Sequence, residues 1–464
     1  MIFQPRCSML LQKFKSEGIA HNSYLLGSGN DAVVIDPSRD CQIYADTARE
    51  KGLKIRYIFE THRHEDFVIG SIQLSRITGA EIYHGPGLNW LYGSLLKDGQ
   101  AFRIGELKLT AMHTPGHTDE SMSYAVADLD TGETTVLVFT GDALFVGDVG
   151  RTDLYGLEEA PRLASDLYDS IFMKLLPLGD GAIILPAHGS GSVCGTRIAD
   201  RDESTIGIER AQNPVLQLIN KDDFVKYKVA EKPERPHYFT RMEKYNLEGP
   251  PLLDCLPLPA PLAPNEFKIE MDKGAVVVDT REPAAFGGIH IKGTYSIWVD
   301  GLPSFAGWVL PYDKPVLLVM ERQSDIEKAV RYLIRIGYDR IVGYLKGGIE
   351  SWYNAGFPME SLGLLSVHRL KDMLDRHEPL TVLDTRGQEE WETGHIEGAI
   401  HIYVGHLEQR ISEVPGDKPV AVYCETGHRA GISASILLRA GYRRVYNIPG
   451  SISAWKAAGF PITK

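Results

Sequence analysis

The sequence predicts an α/β protein of three domains, and three observations predict it. The chain has 464 residues, and at about 100–200 residues per domain that length favours two to four cores over one. Apolar strand-like runs such as Val276-Val277-Val278 and Leu317-Leu318-Val319 alternate with helical stretches such as Ile326 to Ile336, the mark of a parallel α/β sheet. The C-terminal part also repeats itself, which sets the number of domains.

Residues 1–248 make the first domain, and its apolar strands each run into a residue able to bind metal. Ile55-Arg56-Tyr57-Ile58-Phe59 leads to Thr61-His62-Arg63-His64-Glu65-Asp66. Leu107-Lys108-Leu109-Thr110-Ala111-Met112 alternates like a half-buried strand and leads to His113-Thr114-Pro115-Gly116-His117. Val136-Leu137-Val138-Phe139 leads to Gly141-Asp142, and Ala182-Ile183-Ile184-Leu185-Pro186 to His188. Strand ends are rigid and their loops carry sites, so these ligands are expected at one sheet edge. Residues 249–264, dense in proline, are read as a linker, because proline fixes extended backbone and blocks helix.

Residues 265–360 and 361–464 are two copies of one domain. Asp279-Thr280-Arg281 with His290-Ile291-Lys292-Gly293 recurs as Asp384-Thr385-Arg386 with His395-Ile396-Glu397-Gly398. Lys314-Pro315-Val316, Gly337-Tyr338, Trp352 and Gly356-Phe357-Pro358 recur as Lys418-Pro419-Val420, Gly441-Tyr442, Trp455 and Gly459-Phe460-Pro461. A constant order at a spacing of roughly 103–105 residues is the signature of a repeat. In the second copy, Val420-Ala421-Val422-Tyr423 runs into Cys424-Glu425-Thr426-Gly427-His428-Arg429 and then a helical pattern, Ile432 to Leu438. A thiol at such a turn sits in a nest of backbone N–H groups at the positive helix end, which stabilises a thiolate or persulfide. The first copy has Met320 there, and a thioether cannot carry a persulfide.

The composition excludes other classes. The formal net charge is −12, without the basic footprint of a nucleic-acid binder. Apolar runs such as Ala182 to Leu185 fall far short of the ~18 residues that span a bilayer. Met1-Ile2-Phe3-Gln4-Pro5-Arg6 shows no secretory signal. Cys7, Cys41, Cys194, Cys255 and Cys424 are odd in number and widely spaced, so a reducing cytoplasm is expected rather than a disulfide framework.

Thr-His-x-His-x-Asp, then Pro-Gly-His, Gly-Asp and a strand-terminal His resemble the metallo-β-lactamase superfamily, which implies an αββα fold for the first domain. The superfamily motif usually continues Asp-His, but this chain has Phe67, which cannot coordinate metal, so one ion is expected instead of two. The stretch Gly141-Asp142-Ala143 to Gly150-Arg151-Thr152-Asp153-Leu154 resembles persulfide dioxygenases, relatives of glyoxalase II. That resemblance implies one mononuclear non-haem Fe(II) per chain, held by His62, His117 and Asp142. Such a two-His-one-carboxylate triad leaves positions for substrate sulfur and dioxygen. His64, Asp66 and His188 then become groups around the iron. Arg151 is read as an anchor for a substrate carboxylate or as a structural ion pair with Asp153. Cys194 is read as a second sulfur-handling thiol or as a packed structural cysteine.

Both repeats resemble rhodanese domains, with parallel sheets and, in the second, Cys424 and Arg429 as the implied catalytic residues. The six-residue loop from Cys424 to Arg429 fits sulfurtransferases better than the related phosphatases, whose loop is one residue longer. The first repeat is expected to be inert, a spacer or docking platform. Together the parts resemble a persulfide dioxygenase–rhodanese fusion. Such a fusion oxidises a low-molecular-weight persulfide (of glutathione, coenzyme A or similar) with O₂ to sulfite and thiol, then moves sulfane sulfur through Cys424 to sulfite, giving thiosulfate. A cytoplasmic dimer or tetramer serving sulfide detoxification is the family expectation. A dinuclear zinc thioester hydrolase with accessory rhodanese domains, and a non-enzymatic persulfide sensor or carrier, stay open as alternatives.

Overall fold

The structure is a computed structural model and describes residues 9–195, 197–201, 203–231 and 233–464. Cys7 and the segment Met1 to Arg6 lie outside the described residues. The chain divides into two compact units, Met1–Asp254 and Cys255–Lys464.

The first unit holds two six-stranded sheets. One takes its strands in chain order: Leu10–Ser16, His21–Ser28, Asp31–Ile35, Lys54–Phe59, Glu81–His84 and Ser94–Leu95. The other runs Ser204–Thr205, Ile183–Pro186, Thr135–Gly141, Met122–Asp128, Leu107–His113 and Ala101–Ile104. Strand periodicity decides what each sheet covers. Tyr24, Leu26, Val33 and Ile35 meet Leu107, Leu109, Leu137 and Phe139 in a core between the sheets. Leu25 and Val34 face outward onto Tyr44, Ala48 and Leu74 of helices Gln42–Glu50 and Ser71–Thr78. On the far side, Val138 and Ile184 meet Leu167 and Phe224 of helices Ala160–Asp169 and Lys221–Ala230. The result is the αββα sandwich expected from the motifs. Sheets covered on both faces explain why His21–Ser28 is buried at every position.

The second unit contains two five-stranded parallel sheets of identical order. The first repeat runs Ala260–Leu262, Ile341–Leu345, Val316–Val319, Val276–Asp279, Tyr295–Ser296. The second runs Gly363–Leu364, Val445–Asn447, Val420–Tyr423, Thr381–Asp384, Ile400–His401. Residues 249–264 are therefore more than a linker. Their last part supplies the edge strand Ala260–Leu262, where Pro261 is tolerated because an edge strand has one side free of ladder bonds. The two repeats pack together through helix His428–Arg439, where Gly431 leaves room for Pro283: a Cβ there would lie 2.9 Å from the proline ring.

Candidate metal centre and thiol loop

The four strand ends of the first unit converge. Ligand atoms of His62, His117 and Asp142 all lie within 4.8 Å of one another, and all three residues are buried. Neighbours fix the tautomers of both histidines. Asp36 accepts the Thr61 hydroxyl at 2.7 Å, and that oxygen lies 3.0 Å from His62 Nδ1, so the ring donates there. His117 Nδ1 donates to the Arg151 carbonyl at 2.9 Å. Each ring is left with a bare Nε2, 3.7 and 3.5 Å from Asp142 Oδ2 respectively. Neither Nε2 has a hydrogen-bond partner among the described residues. Buried orphaned acceptors facing a carboxylate are what a bound cation would satisfy.

The electrostatics of His62 and Asp142 agree, whereas at His117 burial lowers the pKa but Glu65 and then Asp142 outweigh it and raise it. Burial, then the adjacent His64 and His117 rings, hold His62 well below its ordinary pKa and keep it neutral, the form that binds metal. Burial pushes the Asp142 carboxyl up, but His188 and then His117 outweigh it and leave it low. His188 Nδ1 sits 2.9 Å from both Asp142 oxygens and so orients that carboxylate.

Beside this triad lies a second one: His64, Asp66 and His188 also bring ligand atoms within 4.8 Å of one another. The phenyl ring of Phe67 fills the adjoining space, 4.5 Å from the His64 ring and 6.4 Å from that of His188. Two residues at the centre were missed by sequence reasoning. Asp36 follows the strand Asp31–Ile35 and could have been found by the strand-end rule that found the others. Glu65 occupies a variable position of the motif, which carries no signal. It is buried, with Oε1 3.2 Å from His117 Nε2 but out of line for a hydrogen bond.

Cys194 belongs to this cluster. Its thiol donates to Glu65 Oε1 at 3.6 Å, and burial, followed by Asp66, pushes its pKa well up. Arg151 is buried. Its guanidinium pairs with both oxygens of Asp153 at 2.7 and 2.8 Å. The remaining N–H groups reach the carbonyls of Val193, Glu234 and Pro233. All five donors of the fork are used, the arrangement of the structural ion pair with Asp153.

In the second unit, Cys424 is buried and accepts the Gly427 N–H at 3.1 Å on Sγ. Gly427 can close that nest because its φ is +113°, outside the range of most side chains. Helix His428–Arg439 begins immediately after it. Arg429 is locked onto Glu390 by two hydrogen bonds of 2.5 and 2.6 Å. In the first repeat the Met320 sulfur accepts the Thr280 hydroxyl at 3.0 Å and is buried. The described cysteines Cys41, Cys194, Cys255 and Cys424 are all free thiols. No helix among the described residues is long and apolar enough to cross a membrane.

Comparison with known proteins places these features. Residues 17–188 match the metallo-β-lactamase superfamily profile, and residues 263–355 and 366–458 each match the rhodanese-like domain. The mitochondrial persulfide dioxygenase of Homo sapiens is 31% identical over 219 residues, covering 44% of this chain and 74% of its own. A probable metallo-hydrolase of Bacillus subtilis is 30% identical over 219 residues, covering 43% and 93%. A crystal structure of a metallo-β-lactamase from Staphylococcus aureus superposes with a TM-score of 0.65 at 31% identity, over 74% of this chain and 99% of that one. The chain therefore belongs to the metallo-β-lactamase superfamily, is homologous to persulfide dioxygenases over its first unit, and continues into two rhodanese-like domains.

Proposed function

We propose that this chain is a persulfide dioxygenase joined to a sulfurtransferase. The first unit catalyses RSSH + O₂ + H₂O → RSH + SO₃²⁻ + 2 H⁺. One observation carries the reading: two imidazoles with orphaned Nε2 atoms and one carboxylate share a buried site, while the side chain at position 67 is a phenyl ring. His62, His117 and Asp142 would hold a single Fe(II), which would supply the redox chemistry between persulfide and dioxygen. Thr61 and the Arg151 carbonyl keep both imidazoles in the ligating tautomer, His188 aims Asp142, and His64 and Asp66 surround the site. Burial of all six excludes bulk water.

In the last domain the Cys424 thiolate attacks the sulfane sulfur of a persulfide and RS⁻ departs. Sulfite then takes that sulfur, giving thiosulfate and restoring the thiolate. Glutathione or coenzyme A persulfide, O₂ and sulfite are the partners of a cytoplasmic homodimer or homotetramer serving sulfide detoxification. Oxygen uptake by iron-loaded protein with glutathione persulfide is the direct test, and its absence refutes the assignment. His62→Ala should lose both iron and uptake. Cys424→Ser should keep oxygen uptake but release sulfite in place of thiosulfate; undiminished thiosulfate would remove Cys424 from the pathway.

The buried His64, Asp66 and His188 triad favours a second reading, a dinuclear zinc thioester hydrolase. Elemental analysis separates the two: about one iron per chain supports the dioxygenase, and two zinc ions the hydrolase.

A further inference from the structure

Asn246 stands on helix Phe239–Glu248, beyond the segment that matches the superfamily. Its side chain is buried, and every hydrogen bond it makes goes to the backbone of the metal loop. Nδ2 donates to the carbonyls of His64 at 2.6 Å and Phe67 at 2.8 Å, and Oδ1 accepts the Ile69 N–H at 2.9 Å. The His64 N–H donates in turn to the His62 carbonyl at 3.1 Å, which passes the restraint to the first ligand. From the same turn of helix, the Asn246 carbonyl lies 2.8 Å from the Tyr92 hydroxyl. That hydroxyl is 3.0 Å from both oxygens of Glu60, next to Thr61.

Phe67 faces the second triad and offers it no ligand, so no metal bond can tether the loop at position 67. The loop backbone is held at that position by an amide instead. We propose that Asn246 is a positioning residue of the metal centre: by fixing residues 64–69 it sets the direction of His62, His64 and Asp66, replacing with hydrogen bonds the tether that a ligand at position 67 would supply. The proposal rests on the single-iron reading above.

The test compares full-length wild type with Asn246→Asp and Asn246→Leu, each loaded with Fe(II). Asn246→Asp keeps the shape but sets an oxygen against two carbonyl oxygens; Asn246→Leu removes all three bonds. Iron affinity is read by competition with a chelator, and ligand geometry by the electron paramagnetic resonance signal of the iron nitrosyl adduct. The expected result is an affinity loss of about tenfold or more in both variants, as for partners that orient metal ligands, with a shifted or heterogeneous nitrosyl signal. An unchanged signal overturns the proposal even if affinity falls, since plain destabilisation gives that result. Should a variant unfold, the nitrosyl signal is read after refolding with saturating iron: a shifted signal supports positioning, while an unchanged signal, or unfolding that iron does not reverse, overturns it. A wild type that takes up no iron refutes the metal reading itself.

Discussion

Arg151 shows what a single buried residue does to both energetics and site. Its guanidinium is 1% exposed and its five donors tie Asp153 to three carbonyls from two other segments. Its own carbonyl fixes the tautomer of His117. Removing one partner of a buried pair strands the other charge, a loss of about 3–5 kcal/mol. Arg151→Met should therefore lower stability by about that amount in urea unfolding and weaken metal retention through His117. A loss below about 1 kcal/mol would mean the pair contributes no more than an exposed one. The sequence left anchor and ion pair equally open for Arg151, because an Arg–x–Asp spacing says nothing about which segments fold over it.

At the scale of elements, what was legible is what local pattern encodes. The strand ends that carry His62, His117, Asp142 and His188 could be read because apolar runs stop abruptly at polar residues. Asn246 could not: its partners lie 177 to 182 residues away, and no spacing or periodicity links a helix to a loop at that distance. The Pro-Gly-His turn is another element-level constraint. Gly116 has φ +139°, and a Cβ on it would stand 2.3 Å from the Leu167 backbone in helix Ala160–Asp169. Gly116→Ala should cost about 2–5 kcal/mol in strain and overpacking, seen as a lower thermal midpoint together with weaker metal binding. The thiol loop depends on helix Gln388–Glu392 in a pH-dependent way. Burial pushes Glu390 up, but the Arg429 hydrogen bonds and charge outweigh it, leaving the folded value below the ordinary 4.5. A carboxylate depressed by folding stabilises above its unfolded pKa and loses that contribution as pH falls through the folded one. The melting temperature of wild type should therefore drop more steeply below about pH 4.5 than that of Glu390→Gln; parallel profiles would show that the pair is energetically silent.

Across the whole molecule, the two repeats share a fold but differ in the loop that carries Cys424 in one and Met320 in the other. The motifs that reveal the repeat are structural. Arg281 pairs with Asp279 as Arg386 does with Asp384. Trp352 and Trp455 each donate to the carbonyl of the proline in Gly-Phe-Pro, at 3.0 and 2.8 Å. These contacts recur because both copies must build the same sheet order, and they carry no reactivity. Reactivity needs the loop after the third strand of each sheet order, and there the copies differ at more than the sulfur. Cys424 is met by the N–H of Gly427 in left-handed backbone. Counting the same three residues on from Met320 gives Gln323, which opens a short 3₁₀ turn in place of the nest. A side chain at that position resists the positive φ that brings the N–H onto the sulfur. Met320→Cys in a Cys424→Ser background should therefore fail to restore the proposed thiosulfate formation. Adding Gln323→Gly should raise the reactivity of the new thiol toward iodoacetamide at neutral pH, because the nest favours the thiolate. If Met320→Cys alone recovers sulfur transfer, loop geometry does not separate the two repeats, and the missing thiol is the whole difference between them.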